Sequence, residues 1–151
     1  MKLSKKGEYA VRALIYIYFE KTRDVVSIHE IVEAERLPLK FLEQILGILK
    51  KGGILASRRG MSGGYRLSRP ADQIYLGEVV RLVEGPLSPW ANQKVLQERL
   101  ERHDKHSGFY ALLMDVRNAI SQIMDKTTLE EICERSRKMM EQQSSETMFY
   151  I

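Results

Sequence analysis

Residues 58–67, "RRGMSGGYRL", decide how the chain is read, because two loops of different purpose share their composition. Glycines at 60, 63 and 64 suit a loop that cradles a nucleotide phosphate, and arginines at 58, 59 and 66 suit a basic hairpin tip. A phosphate loop of the Walker type needs Lys-Ser or Lys-Thr after its last glycine, opening directly into a helix. Here Gly64 is followed by Tyr65 and an alternating run, so no helix N-terminus is available to meet a phosphate. With "ILASR" before the turn and "YRLS" after it, the stretch predicts a β-hairpin.

Upstream, the pattern is helical. Ala10, Ala13, Leu14 and Ile17 predict a first helix over roughly residues 4 to 20. Ser27 to Glu30, "SIHE", is a capping-box pattern that opens a short second helix through Ile28, Ile31 and Val32. A third helix follows, with Pro38 suited to its first turn and Gly52 or Gly53 to its stop. Its buried stripe is Leu42, Ile45, Leu46 and Leu49, and Lys40, Glu43, Gln44, Gly47 and Lys51 line the opposite face. Three helices and then a hairpin is the order of a winged helix-turn-helix. Arg58 and Arg59 then stand on the wing, where a nucleic-acid backbone or minor groove is within reach. On the third helix, Glu43 can accept from cytosine N4 and Gln44 can engage adenine, while Lys40 and Lys51 suit phosphates.

The charge distribution agrees. Residues 1–70 hold 14 Lys/Arg against 7 Asp/Glu, a net of +7, whereas residues 71–151 hold 10 against 13, a net of −3. A basic first half joined to a mildly acidic second half predicts a polyanion-binding module joined to something with another task. The fold class expected is mainly α with a small β-hairpin. Residues 1–85 form the DNA-binding domain, 86–142 a linker and long dimerisation helices, and 143–151 a C-terminal tail.

In the second half, Pro70 to Gln73 reads as a joint and "IYLGEVVRLVEGP" as a short helix with a Gly-Pro stop. Residues 86–107 are polar, and "NQKVLQERLERHDKH" reads equally as a solvated helix or a loop. Phe109, Leu113, Val116, Ile120 and Ile123 then recur at spacings of 4, 3, 4 and 3, an a/d seam for pairing with another helix. Thr127 to Glu130, "TTLE", gives a second capping box, and a final helix is expected through about Glu141. A polar stretch leads to the apolar end "MFYI".

Membrane, secreted and catalytic classes are disfavoured. No run approaches the roughly 20 apolar residues of a membrane span. Glu8, Arg12 and Glu20 interrupt the apolar N-terminal stretch at helical intervals, which argues against a signal peptide. One cysteine, Cys133, excludes an intramolecular disulfide and fits a reducing cytosol. Leu129 and Ile132 beside it mark it as core, not nucleophile. His103 and His106, with Asp104 between them, lack the further ligands a metal site needs, and His29 lies exposed within its capping box. No nucleophile–base pair or cofactor loop can be assembled, so an enzyme is not expected.

Four motifs in order, "MKLSKKGEYAVRALIYI", "LPLKFLEQILGILKKGGIL", "RRGMSGGYRLSRP" and "LGEVVRLVEGPLSP", resemble the Rrf2 family of bacterial winged-helix regulators. The likeness is dense over roughly residues 1–90 and weaker through "TTLEEI". It implies a homodimer whose long helices cross between subunits on a pseudo-palindromic operator in double-stranded DNA. By motif position, DNA contacts would fall on Lys2, Ser4, Lys5 and Tyr9, on Lys40, Glu43 and Gln44, and on Arg58, Arg59 and Gly63. Cluster-binding members carry three cysteines between the "EGP"-type turn and the dimerisation helix. Gly85 to Phe109 has none, so no iron–sulfur cofactor is expected. The chain thus resembles the family's cluster-free branch of cysteine-metabolism repressors, which partners cysteine synthase. Two readings stay open for the end of the chain: Phe149 and Ile151 fold back onto the dimer, or, as the resemblance implies, Met148, Phe149, Tyr150 and Ile151 dock on cysteine synthase with the terminal carboxylate in the place of a substrate carboxylate. The rival is a regulator of the same fold that senses redox state, a metal or a small molecule through residues 92–107.

Overall fold

The computed structural model describes residues 3–87 and 93–149, with backbone alone for Glu146, Thr147 and Phe149. Lys2, Tyr150 and Ile151, all named above as contact residues, lie outside the described residues.

Helix α1 (Lys5–Phe19) starts at Ser4, whose extended backbone and hydroxyl, accepting from the Gly7 N–H, cap the first turn. Helix α2 (Ile28–Glu35) starts in the expected capping box: the Ser27 hydroxyl accepts from the Glu30 N–H at 3.3 Å, and the Glu30 carboxylate accepts from the Ser27 N–H at 2.9 Å. Helix α3 (Leu39–Lys51) follows Pro38, and the pair Gly52–Gly53 stops it. Strands β1 (Leu55–Arg58) and β2 (Gly64–Leu67) form the expected antiparallel hairpin, in the register Leu55 opposite Leu67 and Arg58 opposite Gly64. On its other edge β2 pairs at Tyr65 with Val26, which ties the wing to the turn before α2.

A 3-10 turn (Ala71–Gln73) leads to α4 (Leu76–Glu84). The ambiguous polar segment contains a helix, α5 (Gln93–Leu100), whose Leu96 is buried. Then come α6 (Ser107–Lys126) and α7 (Leu129–Phe149). Two expectations change here. The second capping box is Thr128 with Glu131, one residue later than expected: the Thr128 hydroxyl accepts from the Glu131 N–H and the Glu131 carboxylate accepts from the Thr128 N–H. Thr127 is unavailable because it ends α6, its hydroxyl donating to the Ile123 carbonyl at 2.8 Å. The last helix also runs to Phe149 instead of stopping near Glu141, so the stretch expected as a polar tail has helical backbone.

The core gathers α1 to α4 and the hairpin base: Ala10, Leu14, Ile17, Tyr18, Ile31, Leu42, Ile45, Leu46, Leu49, Ile54 and Ile74 are essentially inaccessible. Leu129 and Cys133 at the start of α7 close this core from the C-terminal side. The Ile74 carbonyl accepts from the Leu129 N–H and the Thr127 carbonyl accepts from the Leu76 N–H, which stitches α7's start to α4's start. No helix among the described residues is long and apolar enough to cross a membrane.

Candidate nucleic-acid interface

Helix α3 is divided along its length. Leu42, Ile45, Leu46 and Leu49 are wholly buried, the four positions expected from the periodicity. Lys40, Glu43 and Gln44 point outward, and among the described residues none forms an ion pair or side-chain hydrogen bond within the chain. A methyl group added at Gly47, one turn on, would meet nothing within 4 Å. The outer face of α3 is therefore a row of uncommitted donors and acceptors with open space before it.

Helix α1 lies against α3 through Tyr9, whose ring meets Phe41 edge-on at 5.8 Å. The Lys5 ammonium and the Arg12 guanidinium each stand 5.9 Å from the Tyr9 ring centre, within cation–π range. Arg12 is also tied to α2, donating to the Glu35 carboxylate at 3.0 Å and to the Glu35 carbonyl at 2.5 Å. Tyr9 thus joins the two helices. Lys5 is exposed and, among the described residues, forms its ion pair with Glu8, one helical turn on, at 3.0 Å. Ser4 is committed more deeply, since both its N–H and its hydroxyl donate to Glu84.

The wing separates Arg58 from Arg59. Arg58 pairs with Asp24 and donates to the Ser62 carbonyl at 2.9 Å, so its guanidinium holds the turn closed and to the body. Arg59 is exposed, with no such partner among the described residues. The glycines are dictated by crowding. A Cβ on Gly63 would sit 2.3 Å from the Arg58 carbonyl oxygen, and one on Gly64 would sit 2.3 Å from the Val26 carbonyl oxygen. Gly60, at φ +109°, takes a left-handed conformation that side chains disfavour. The base of the wing is fixed by Arg69, whose guanidinium reaches the Gln73 and Gly53 carbonyls, both at 3.0 Å, and the Glu78 carboxylate at 2.5 Å. The sequence reading missed Arg69, since an arginine before a proline carries no periodic signal.

On α6, the expected seam divides between two faces. Phe109 and Ile123 are exposed, at 59% and 66%, and Val116 and Ile120 are half-buried. Leu113 is only 8% exposed and already covered by its own chain, so it has little surface left to offer a partner. Leu112, its neighbour in sequence, is 58% exposed. Met148 is exposed near the end of α7.

The donor set for a thiolate-held cluster is missing. Cys133 is the sole cysteine, and it is buried in the core, where burial pushes its thiol up to about 11. The histidines of the polar segment are exposed: His103 Nδ1 contacts the Glu101 carbonyl, and His106 stands 3.7 Å from Asp104.

The Rrf2 family model, described as an iron-dependent transcriptional regulator, matches residues 3–135. The transcriptional regulator CymR of Bacillus subtilis is 33% identical over 132 residues, spanning 87% of this chain and 89% of its own. The solved structure of CymR, the global cysteine regulator of B. subtilis, superposes with a TM-score of 0.75 at 29% identity, covering 89% of this chain and 98% of that one. T. potens IscR gives a TM-score of 0.72 at 28% identity over 90% and 88% of the two chains. These relatives are regulators of transcription, not enzymes. The chain is a member of the Rrf2 family of transcriptional regulators.

Proposed function

We propose that the chain is a homodimeric, sequence-specific repressor of genes of cysteine or sulfur metabolism, working without an iron–sulfur cluster. The observation that carries the reading is the division of α3, with its apolar side sealed and Lys40, Glu43 and Gln44 uncommitted on the other. In the major groove, Glu43 accepts from cytosine N4, Gln44 pairs with adenine, and Lys40 holds a phosphate. Lys5 and Tyr9 approach the backbone at α1's start, where Ser4, its N–H and hydroxyl both given to Glu84, sets the turn's shape; Lys2 is a further contact by motif position. On the wing, Arg59 reaches outward while Arg58 and Gly63 set the turn's shape. Two such units on one operator require a dimer, and its seam runs through Phe109, Leu112, Val116, Ile120 and Ile123. The cysteine assignment rests on the similarity to CymR over most of both chains. The cluster-free assignment rests on the lone buried cysteine, since clusters of this family type need several thiolates.

Genomic footprinting with the purified chain tests the reading. Specific duplexes should be recovered, with a log–log salt slope near −5 if about six phosphates are neutralised. No preference for any genomic duplex over random DNA overturns it. Metal analysis and an absorption spectrum of the same sample separate it from the rival sensor acting through residues 92–107. Cysteine synthase is the proposed protein partner, docked through Met148, Phe149, Tyr150 and Ile151. A chain lacking residues 148–151 should lose that complex, and undiminished binding refutes the docking.

A further inference from the structure

Ser4 and Glu84 are eighty positions apart in sequence, yet they form one clasp. The Glu84 Oε1 atom accepts the Ser4 hydroxyl at 2.6 Å and the Ser4 backbone N–H at 3.0 Å. The same hydroxyl caps α1 by accepting from the Gly7 N–H at 3.3 Å. Gly7 completes the fit: a Cβ there would stand 2.1 Å from Glu84 Oε1, so any side chain would force the carboxylate away. The carboxylate lies against α1's N-terminal turn, whose free N–H groups favour a negative charge.

Glu84 is the last residue of α4, and that helix is anchored again one turn earlier. Arg81 reaches the two Asp125 carboxylate oxygens on α6 at 2.6 and 2.8 Å, and the absence of a side chain at Gly77 leaves room for Asp125. Helix α4 therefore links the start of α1 to the helix that bears the exposed apolar face. A carboxylate next to the turn that carries Lys5 would repel a DNA backbone, so its charge alone opposes binding. Its hydrogen bonds do the opposite, holding that turn in a single geometry.

We infer that Glu84 is a positioning residue for DNA binding: through Ser4 it fixes the first turn of α1, with Lys5, in the geometry presented to the duplex backbone. The inference rests on the reading under Proposed function. It implies that ordering this turn in advance outweighs the repulsion that the carboxylate brings.

The test compares the full chain with Glu84→Gln and Glu84→Ala, using amide hydrogen exchange without DNA and binding to a short mixed-sequence duplex at low salt. Glu84→Ala should speed exchange at Gly7 and Glu8 and weaken duplex binding about fivefold, the loss of both hydrogen bonds to Ser4 at the lower end of their net worth. Glu84→Gln keeps an acceptor oxygen and should restore both. If Glu84→Ala fails to fold, Glu84→Asp keeps the charge but shortens the reach to Ser4, and it should show the same faster exchange and weaker binding in smaller measure. Tighter binding by both Glu84 variants would make the carboxylate a repelling charge only and overturn the inference. Unchanged binding despite faster exchange would overturn it as well. A wild-type chain that binds no duplex refutes the DNA-binding reading itself, whereas wild-type binding that Glu84→Ala matches refutes only the clasp's role.

Discussion

Residues 5–84 and the helices α6 and α7 bury their apolar side chains in opposite ways. In the first region α1, α3 and the hairpin base close around one another, and Leu42, Ile45, Leu46, Leu49 and Ile54 have no accessible surface. In the second, Leu113 is the one buried residue of the twenty in α6, while Phe109, Leu112 and Ile123 on α6 and Met139 and Met140 on α7 stay more than half exposed. Among the described residues, the first region completes its buried core with Leu129 and Cys133. The second presents an apolar face three and four residues apart, suited to another helix and poorly suited to water. The charge asymmetry follows the same line, +7 before residue 71 and −3 after it. A region that is closed and basic can present a rigid face to a polyanion, while one that is open and apolar suits a protein surface, which the proposed dimer would supply.

The strongest test of that contrast uses two adjacent leucines. Leu112→Asp would place an unpaired charge on the open face and should cost the dimer about 3–5 kcal/mol while leaving the fold of one chain intact. Sedimentation should show monomers, and tight operator binding should vanish with them. Leu113→Asp puts the charge inside the chain's own packing, so it should lower the thermal midpoint first. If Leu112→Asp stays dimeric at its wild-type midpoint, the open face is not the seam.

Within the closed region, α3 and the wing should differ in kind. Glu43→Ala should change which base is preferred at one operator position, by about 1–3 kcal/mol, because a carboxylate repels base edges that present acceptors. Equal weakening on every operator variant would reduce Glu43 to a general contact. Arg59→Ala should weaken binding uniformly and reduce the salt slope by about one. A base-selective loss at Arg59 would mean that the wing reads sequence.

The closed region was the legible one. Its stripe of Leu42, Ile45, Leu46 and Leu49, its Ser27–Glu30 box and its hairpin are local patterns, and tertiary packing endorsed each. The open region was less legible because its signals depend on what lies across a contact. Leu112 and Leu113 are identical residues, and only α6's packing inside its own chain decides which one faces out. Thr127 and Thr128 pose the same problem, settled by where α6 ends. In the candidate site, exposure of Lys40, Glu43 and Gln44 followed from helical spacing. The commitment of Arg58 to Asp24 and of Ser4 to Glu84 did not, because both partners are remote in sequence.

The two capping boxes carry the comparison to its smallest expected effect. In the closed region, the Glu30 carboxylate receives the Arg23 guanidinium as well as the Ser27 amide, which together hold it well below the usual carboxylate range, at about 2 instead of 4.5. In the open region, Glu131 receives the Thr128 amide, and no arginine joins it among the described residues. A carboxyl group whose folded value is depressed stabilises the fold in full above its unfolded value, and that contribution drains away as pH falls toward the folded value. Wild type should therefore exceed Glu30→Gln in stability at neutral pH, and the gap should close between about pH 4.5 and pH 2. The side chain is 35% exposed, so solvent screens the pair and the gap should be modest, about 0.2–1 kcal/mol. Denaturant titrations of both chains across that window measure it. A gap that stays constant down to pH 2 would assign the loss to the altered cap geometry of the glutamine and not to the charge of Glu30.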